Sequence, residues 1–249
     1  MAQQRHLKNA PITEALIDIR VKLPDEFEIS QFEPIKKEIE NQYPIFEEQR
    51  SFKHSHAFKE GKPKNFSFED MGVQGFFFKT ADKIKIAQFR LDGFTFNHLK
   101  PYSDWETIFE EARRLWTLYK EITSLELITR LAVRYINHLK LPLPIDNFAD
   151  FFTAPPTVPE GLPQSLIKFQ SRNVIIEPEN QIIANITQAS DEKGSDSQNL
   201  NVILDIDTLK NVNYRAENKQ MWDIFENLRK MKNDIFFKSL TEKTVRLFE

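Results

Sequence analysis

The chain has 249 residues, 40% apolar, 29% charged and 12% aromatic, a globular composition able to fill one large or two small cores. A net charge of -3 removes any composition-level case for a nucleic-acid binder, and 22 Phe against 6 Gly leave little material for glycine-lined phosphate loops. With no cysteine, disulfides, thiolate nucleophiles and thiolate metal sites are excluded, and no run reaches membrane-spanning length, so a reducing, cytoplasmic setting is expected.

In ALIDIRVKLP (15–24), Ile17, Ile19, Val21 and Leu23 alternate with Asp18, Arg20 and Lys22, which predicts a half-buried strand ended by Pro24. A helix is expected next. Ser30 and Glu33 have capping-box spacing, and Phe32, Ile35, Ile39 and Tyr43 repeat at helical intervals up to Pro44. Pro34 is tolerated there because it falls in the first turn.

Residues 45–99 read as antiparallel strands with one wet face, broken at Gly61–Pro63 and Ala81–Lys83, with a bend at Gly93–Phe94. Ser103 and Glu106 then suggest a second capping box. Trp105, Ile108, Phe109, Ala112, Leu115, Trp116 and Tyr119 form one apolar stripe of a long helix.

The second half restarts with a strand over 127–142. A short helix in IDNFADFF and a proline-rich loop follow, then strands folding back at Glu177–Asn180, a polar segment ASDEKGSDSQ, and a further strand. A closing helix carries Trp222, Phe225, Leu228, Met231, Ile235 and Phe236 at helical spacing.

Both halves therefore run strand, helix, antiparallel strands, long helix. VKLP (21–24) recurs as LKLP (139–142), and Trp105, Ile108, Leu118 and Tyr119 recur at nearly the same offset as Trp222, Phe225, Ile235 and Phe236. The expected fold class is α+β. It is an internal duplication of a β-α-β(3–4)-α unit spanning 1–124 and 125–249, packed as one continuous unit with two long helices on one face of an antiparallel sheet. That order resembles the TATA-binding-protein half and the helix-grip folds, an analogy that carries no function.

The stretches NAPITEALIDIRV (9–21), 89–119, ITRLAVRYIN (128–137) and LRKMKNDIFFKSLTEKTVRLF (228–248) resemble a family of sporadically distributed, functionally uncharacterised bacterial proteins of about this length. The resemblance implies no activity, cofactor or catalytic residue. A patchy distribution suits mobile elements and defence loci, which is an association and no mechanism.

Candidate chemistry is sparse. His54 and His56, two apart on a strand, could offer two metal ligands, but a zinc site needs three or four and none follow nearby. Asp205 and Asp207, with Asp92 in the equivalent region of the first half, could hold magnesium for phosphodiester chemistry, although LDIDTL also alternates as an ordinary strand does. No nucleophile elbow, zinc-protease motif, P-loop or dinucleotide fingerprint occurs, so no cofactor is expected and an enzyme is the minority reading.

The polar residues embedded in strands are more informative. Arg20, Arg130, Arg134, Tyr135 and Asn137 lie in the first strands of the two halves, which should meet near the sheet centre, and Arg90 and Asp92 precede the Gly93–Phe94 bend. Arg20 and Arg134, with Tyr135 or Phe96 nearby, could form an arginine–aromatic platform for an anion, a peptide carboxylate or single-stranded nucleic acid. Alternatively the arginines pair with Glu14, Asp18 or Asp92 and knit the halves together.

The leading expectation is a non-enzymatic binding module using the open sheet face, with a protein or small anionic ligand as partner and a homodimer compatible with the chain. A nucleic-acid binder using the local positive charge of KHSHAFKEGKPK (53–64) and NLRKMKND comes second. A metal-dependent phosphodiesterase or nuclease comes third.

Overall fold

Alternation in the first strand divides the molecule into two faces. In β1 (Ile12–Lys22), Ala15, Ile17, Ile19 and Val21 are buried on one side, while Glu14, Leu16, Asp18 and Arg20 project from the other. The computed structural model describes residues 2–59, 62–215 and 220–249, and for residues 54–59 and 62–68 the backbone alone.

Eight more strands continue that division: β2 (Ile45–Lys59), β3 (Lys62–Lys79), β4 (Lys85–Arg90), β5 (Gly93–Leu99), β6 (Leu127–Pro142), β7 (Gln170–Glu177), β8 (Ile182–Asp191) and β9 (Asn199–Tyr214). They form one nine-stranded antiparallel sheet in the order β2-β3-β4-β5-β1-β6-β9-β8-β7. The first strand of each half is thus central, β1 against β6 with Ile17 opposite Val133, and the last strand of each half lies just outside it. At the edge, β7 leaves Val174, Ile175 and Ile176 exposed.

Four helices complete the described residues: α1 (Glu33–Ile39), α2 (Trp105–Thr123), α3 (Met221–Ser239) and α4 (Glu242–Val245). The first three cover the Ile17 side. Phe32, just ahead of α1, meets Phe89 edge-on at 6.2 Å, Phe94 of β5 meets Trp116 of α2 at 6.2 Å, and Thr208 Oγ1 of β9 donates to the Leu228 carbonyl of α3 at 3.1 Å. No helix among the described residues is long and apolar enough to cross a membrane.

The core crosses the boundary between the halves. One cluster joins Ile17, Phe94 and Tyr119 to Leu131, Val133, Phe225 and Leu228; the other joins Ala2 and Leu7 to Leu139, Leu204, Phe236 and Val245. At the start of the two long helices, Phe109 stacks on Trp105 at 4.9 Å and meets Trp222 edge-on at 5.4 Å. The guanidinium of Arg113 lies 5.0 Å from the Trp222 ring, and that of Arg229 lies 5.2 Å from the Trp105 ring, a reciprocal cation–π exchange.

Local boundaries differ from expectation in four places. Asp104, rather than Ser103, caps α2, accepting from the Thr107 backbone at 2.7 Å; Asp caps as well as Ser, and the shift brings Trp105 into the first turn, where its Nε1 donates to Glu226 at 2.7 Å. The Ser30–Glu33 box is likewise replaced: Glu28 starts a 3-10 turn over Ile29–Phe32, with Gln31 accepting from the Glu28 backbone at 2.8 Å, and α1 follows it directly. The helix expected in IDNFADFF shrinks to a 3-10 turn at Phe148–Asp150. The bend expected at Gly93–Phe94 is a hairpin whose loop is Leu91–Asp92, closed by the Arg90–Gly93 pair.

Gly93 is required there. Its φ is +149°, and an added Cβ would sit 2.2 Å from the Ile19 carbonyl oxygen of the neighbouring strand. Gly93→Ala is expected to cost on the order of 1–3 kcal/mol, read as a lowered midpoint in urea unfolding. An unchanged midpoint would mean that β1 and β5 can separate at no cost.

Candidate functional site

Two recesses collect polar side chains, one on each face of the sheet. On the helix-free face the central strands enclose about 380 Å³ around Asp18, Arg20, Arg90, Arg130, Arg134 and Asp207. Period 2 puts them together: Asp18 stands opposite Thr95 on β5 and Ala132 on β6, and Arg134 stands between Leu16 and Asp207.

Asp18 is the hub and is only 4% exposed. It accepts from Thr95 Oγ1 at 2.7 Å, Arg130 at 2.8 Å, and Arg20 and Arg90 at 3.1 Å each. Arg90 also donates to Asp92 at 2.9 Å, Gln88 at 2.7 Å and Thr95 at 2.8 Å. Arg20 reaches Asp92 as well. Arg134 grips Asp205 through two bonds of 2.8 and 2.6 Å, and Arg130 reaches Asp207 at 3.3 Å. Burial pushes the Asp207 carboxyl up, against the pull of Arg130 and Arg134.

Every arginine singled out from the sequence is therefore paired with a carboxylate, and one pair bridges the seam between the halves: Asp18 of β1, which also holds Arg90 of β4, holds Arg130 of β6. An incoming anion would meet guanidinium charge already compensated by carboxylates within hydrogen-bond distance, which leaves it little net gain. Asp205 and Asp207 share this face but are held by arginines. Among the described residues no group of three His, Cys, Asp or Glu could hold a metal ion. His54 and His56, and most of the basic stretch 53–64, lie outside the residues whose side chains are described.

The expected aromatic half of the platform is on the wrong side. Tyr135 follows Arg134 in the same strand and so points to the opposite face, and Phe96 sits between Thr95 and Asn97 for the same reason. Asn137 also belongs elsewhere. It donates to the Leu204 carbonyl at 2.9 Å and lines the second recess.

That second recess is a cleft of about 700 Å³ on the helix side, between the N-terminal segment, the loop from Lys100 to Ser103, and α3. The segment is strapped to the C-terminus. Ala2 donates to the Leu240 carbonyl at 3.0 Å, Arg5 pairs with Glu242 at 2.9 Å and Glu249 at 2.7 Å, and Asn9 donates to the Phe248 carbonyl at 3.0 Å. Among the described residues the lining includes Arg5, His6, Lys8, Lys100, Arg229 and Lys232, and no Asp or Glu. Arg5 has its two glutamates, and Arg229 reaches Glu106 at 3.4 Å and Glu226 at 3.5 Å. Lys8, Lys100 and Lys232 have no carboxylate partner among the described residues.

Lys232 is the exceptional member, the one lysine buried among the described residues, at 8% exposed. Its ammonium lies 3.7 Å from the centroid of the Tyr135 ring, and the Tyr135 hydroxyl is 3.1 Å from that of Tyr102 at the cleft wall. Burial pulls its pKa from 10.5 to about 7, and the like charge of Arg229 adds to the shift.

Sequence reasoning missed Lys232, although a signal was present. Leu228, Lys232, Ile235 and Phe236 share one helical stripe, so a cation occupies a position that periodicity assigns to the core. No protein-family model matches the chain, and no curated protein matches it.

Proposed function

We propose that the protein is a binding module for a small anionic ligand, held in the cleft over Lys232. The observation that carries this is a buried ammonium without a carboxylate, facing a cleft lined by cations in a chain whose net charge is -3. A buried cation costs several kcal/mol unless something compensates it, so a site that withholds a partner is poised to receive one. The open sheet face, where the sequence first directs attention, has compensating charges of its own and is better read as a paired network at the sheet centre, tied across the β1–β6 seam by Asp18 and Arg130.

The reading of two duplicated β-α-β(3–4)-α halves, related to the TATA-binding-protein and helix-grip folds, belongs to the same proposal. Its support is the strand order, in which each half runs first strand innermost, last strand next and the others outward, five strands on one side of the seam and four on the other, together with the exchanged arginine–tryptophan contacts. Membership of the sporadically distributed bacterial family is likewise proposed. Two of the stretches that carry that likeness, 9–21 and 228–248, supply cleft residues including Lys232.

Calorimetric titration with acetate, succinate and inorganic phosphate tests the reading. At least one should bind, and Lys232→Met should weaken it by roughly 10–100-fold, the loss of one charge-assisted hydrogen bond. Arg134→Gln, on the opposite face, should leave the affinity unchanged. If Lys232→Met binds as well as the parent, or if Arg134→Gln removes binding, the cleft is not the site. Salt-dependent capture of a single-stranded oligonucleotide that survives Lys232→Met would favour the nucleic-acid reading instead.

A further inference from the structure

Holding an anion is one use of a buried lysine; acting as a nucleophile is another, and three features of the cleft favour the second. First, Lys232 Nζ makes no hydrogen bond or ion pair among the described residues, so its lone pair, once free of a proton, has no competing acceptor role to fill. Second, the Tyr135 ring over which Lys232 lies carries a hydroxyl 3.1 Å from that of Tyr102, a pair able to pass a proton between them. Third, Lys8 and Lys100, which have no carboxylate partner among the described residues, line the same cleft, so they add to the charge that holds a ligand carboxylate while Lys232 meets the neighbouring carbonyl.

We propose that Lys232 captures the carbonyl of a small 2-oxo acid as a reversible imine within this cleft. The inference rests on the anion-binding reading above, which supplies the carboxylate end of the ligand. Burial favours the chemistry: with its pKa pulled down to about 7, a large fraction of Lys232 is neutral amine at neutral pH, where an exposed lysine is almost wholly protonated.

In the step, the Nζ lone pair attacks the carbonyl carbon, a C–N bond forms, and the carbonyl π pair moves to oxygen. That oxygen takes up a proton as the nitrogen loses one, giving a carbinolamine. The C–O bond then breaks, the nitrogen lone pair closes the C=N bond, and the departing hydroxide leaves as water with the proton that remained on nitrogen. No electrons are gained or lost, and water is the single by-product.

Borohydride trapping with pyruvate, glyoxylate and 2-oxoglutarate, followed by peptide mapping, tests this on the full chain. The expected result with at least one of them is a reduced adduct at Lys232, formed about tenfold or more faster than at the exposed lysines and rising in rate as pH passes through about 7. Lys232→Arg retains the cation without the nucleophile and should give no such adduct. Lactate, which keeps the carboxylate and lacks the carbonyl, separates the two levels of the claim. If lactate binds and no oxo acid marks Lys232, the imine is overturned and the anion cleft stands. If lactate fails to bind and nothing marks Lys232, both fall. Label spread evenly over exposed lysines also overturns the imine.

Discussion

Lys232→Met is expected to stabilise the fold below neutral pH while weakening the cleft's affinity for anions. The sign follows from the two protonation states. The folded pKa is near 7 and the unfolded value is 10.5, so between them the unfolded chain holds a proton that the folded protein has released. Stability therefore rises with pH across that window, and below about 7 the cost of burying the ammonium is carried in full. The gap corresponds to at most about 5 kcal/mol, and what is realised is smaller, because the effective dielectric even at buried sites is well above that of dry protein.

Methionine fills a similar volume and does not titrate, so the gain should be largest at about pH 6 and should shrink steadily towards about pH 10, as followed by urea unfolding. A bound carboxylate should raise the Lys232 pKa. Binding of a simple carboxylate above neutral pH would then take up close to one proton, visible as a buffer-dependent heat, and affinity should fall as pH rises. A variant no more stable than the parent at about pH 6 would show that the ammonium is not desolvated as the structure implies.

Asp18→Ala should be among the most damaging single changes in the chain. It removes the carboxylate shared by Arg20, Arg90, Arg130 and Thr95, and it leaves the Arg90 guanidinium, whose side chain is 9% exposed, with the exposed Asp92 as its remaining carboxylate among the described residues. Breaking a buried pair from one side costs about 3–5 kcal/mol, a large part of the roughly 5–15 kcal/mol that holds a typical domain together. Asp92 touches two of the same arginines but is 60% exposed, and Asp92→Ala should cost no more than about 1 kcal/mol. The contrast is the test. Equal losses for the two variants, or a loss at Asp18 below about 1 kcal/mol, would show that the network is a surface feature rather than the seam of the sheet.

Much of the framework was legible beforehand because it depends on local periodicity. The alternation from Ile17 to Val21, the stripe from Trp105 to Tyr119 and the fold-back near Glu177–Asn180 all reappear as β1, α2 and the β7–β8 hairpin. The candidate site was read less well. Arg20, Arg90, Arg130 and Arg134 do converge, yet Tyr135 was grouped with them although strand geometry turns it away. Lys232 was counted as local positive charge when its place in the apolar stripe marked it as buried.

Composition and period by themselves determined that this chain forms one-sided antiparallel strands backed by two long helices, because hydrophobic spacing states which residues must leave water. Only the tertiary structure decided where the charges go. Asp18 meets Arg130 because β1 and β6 are neighbours at the sheet centre, and Arg5 meets Glu242 because the N-terminal segment crosses to the C-terminal helix. Strand order and chain crossings join residues far apart in sequence, and no local pattern encodes which distant partner neutralises a charge, or which lysine is left without one.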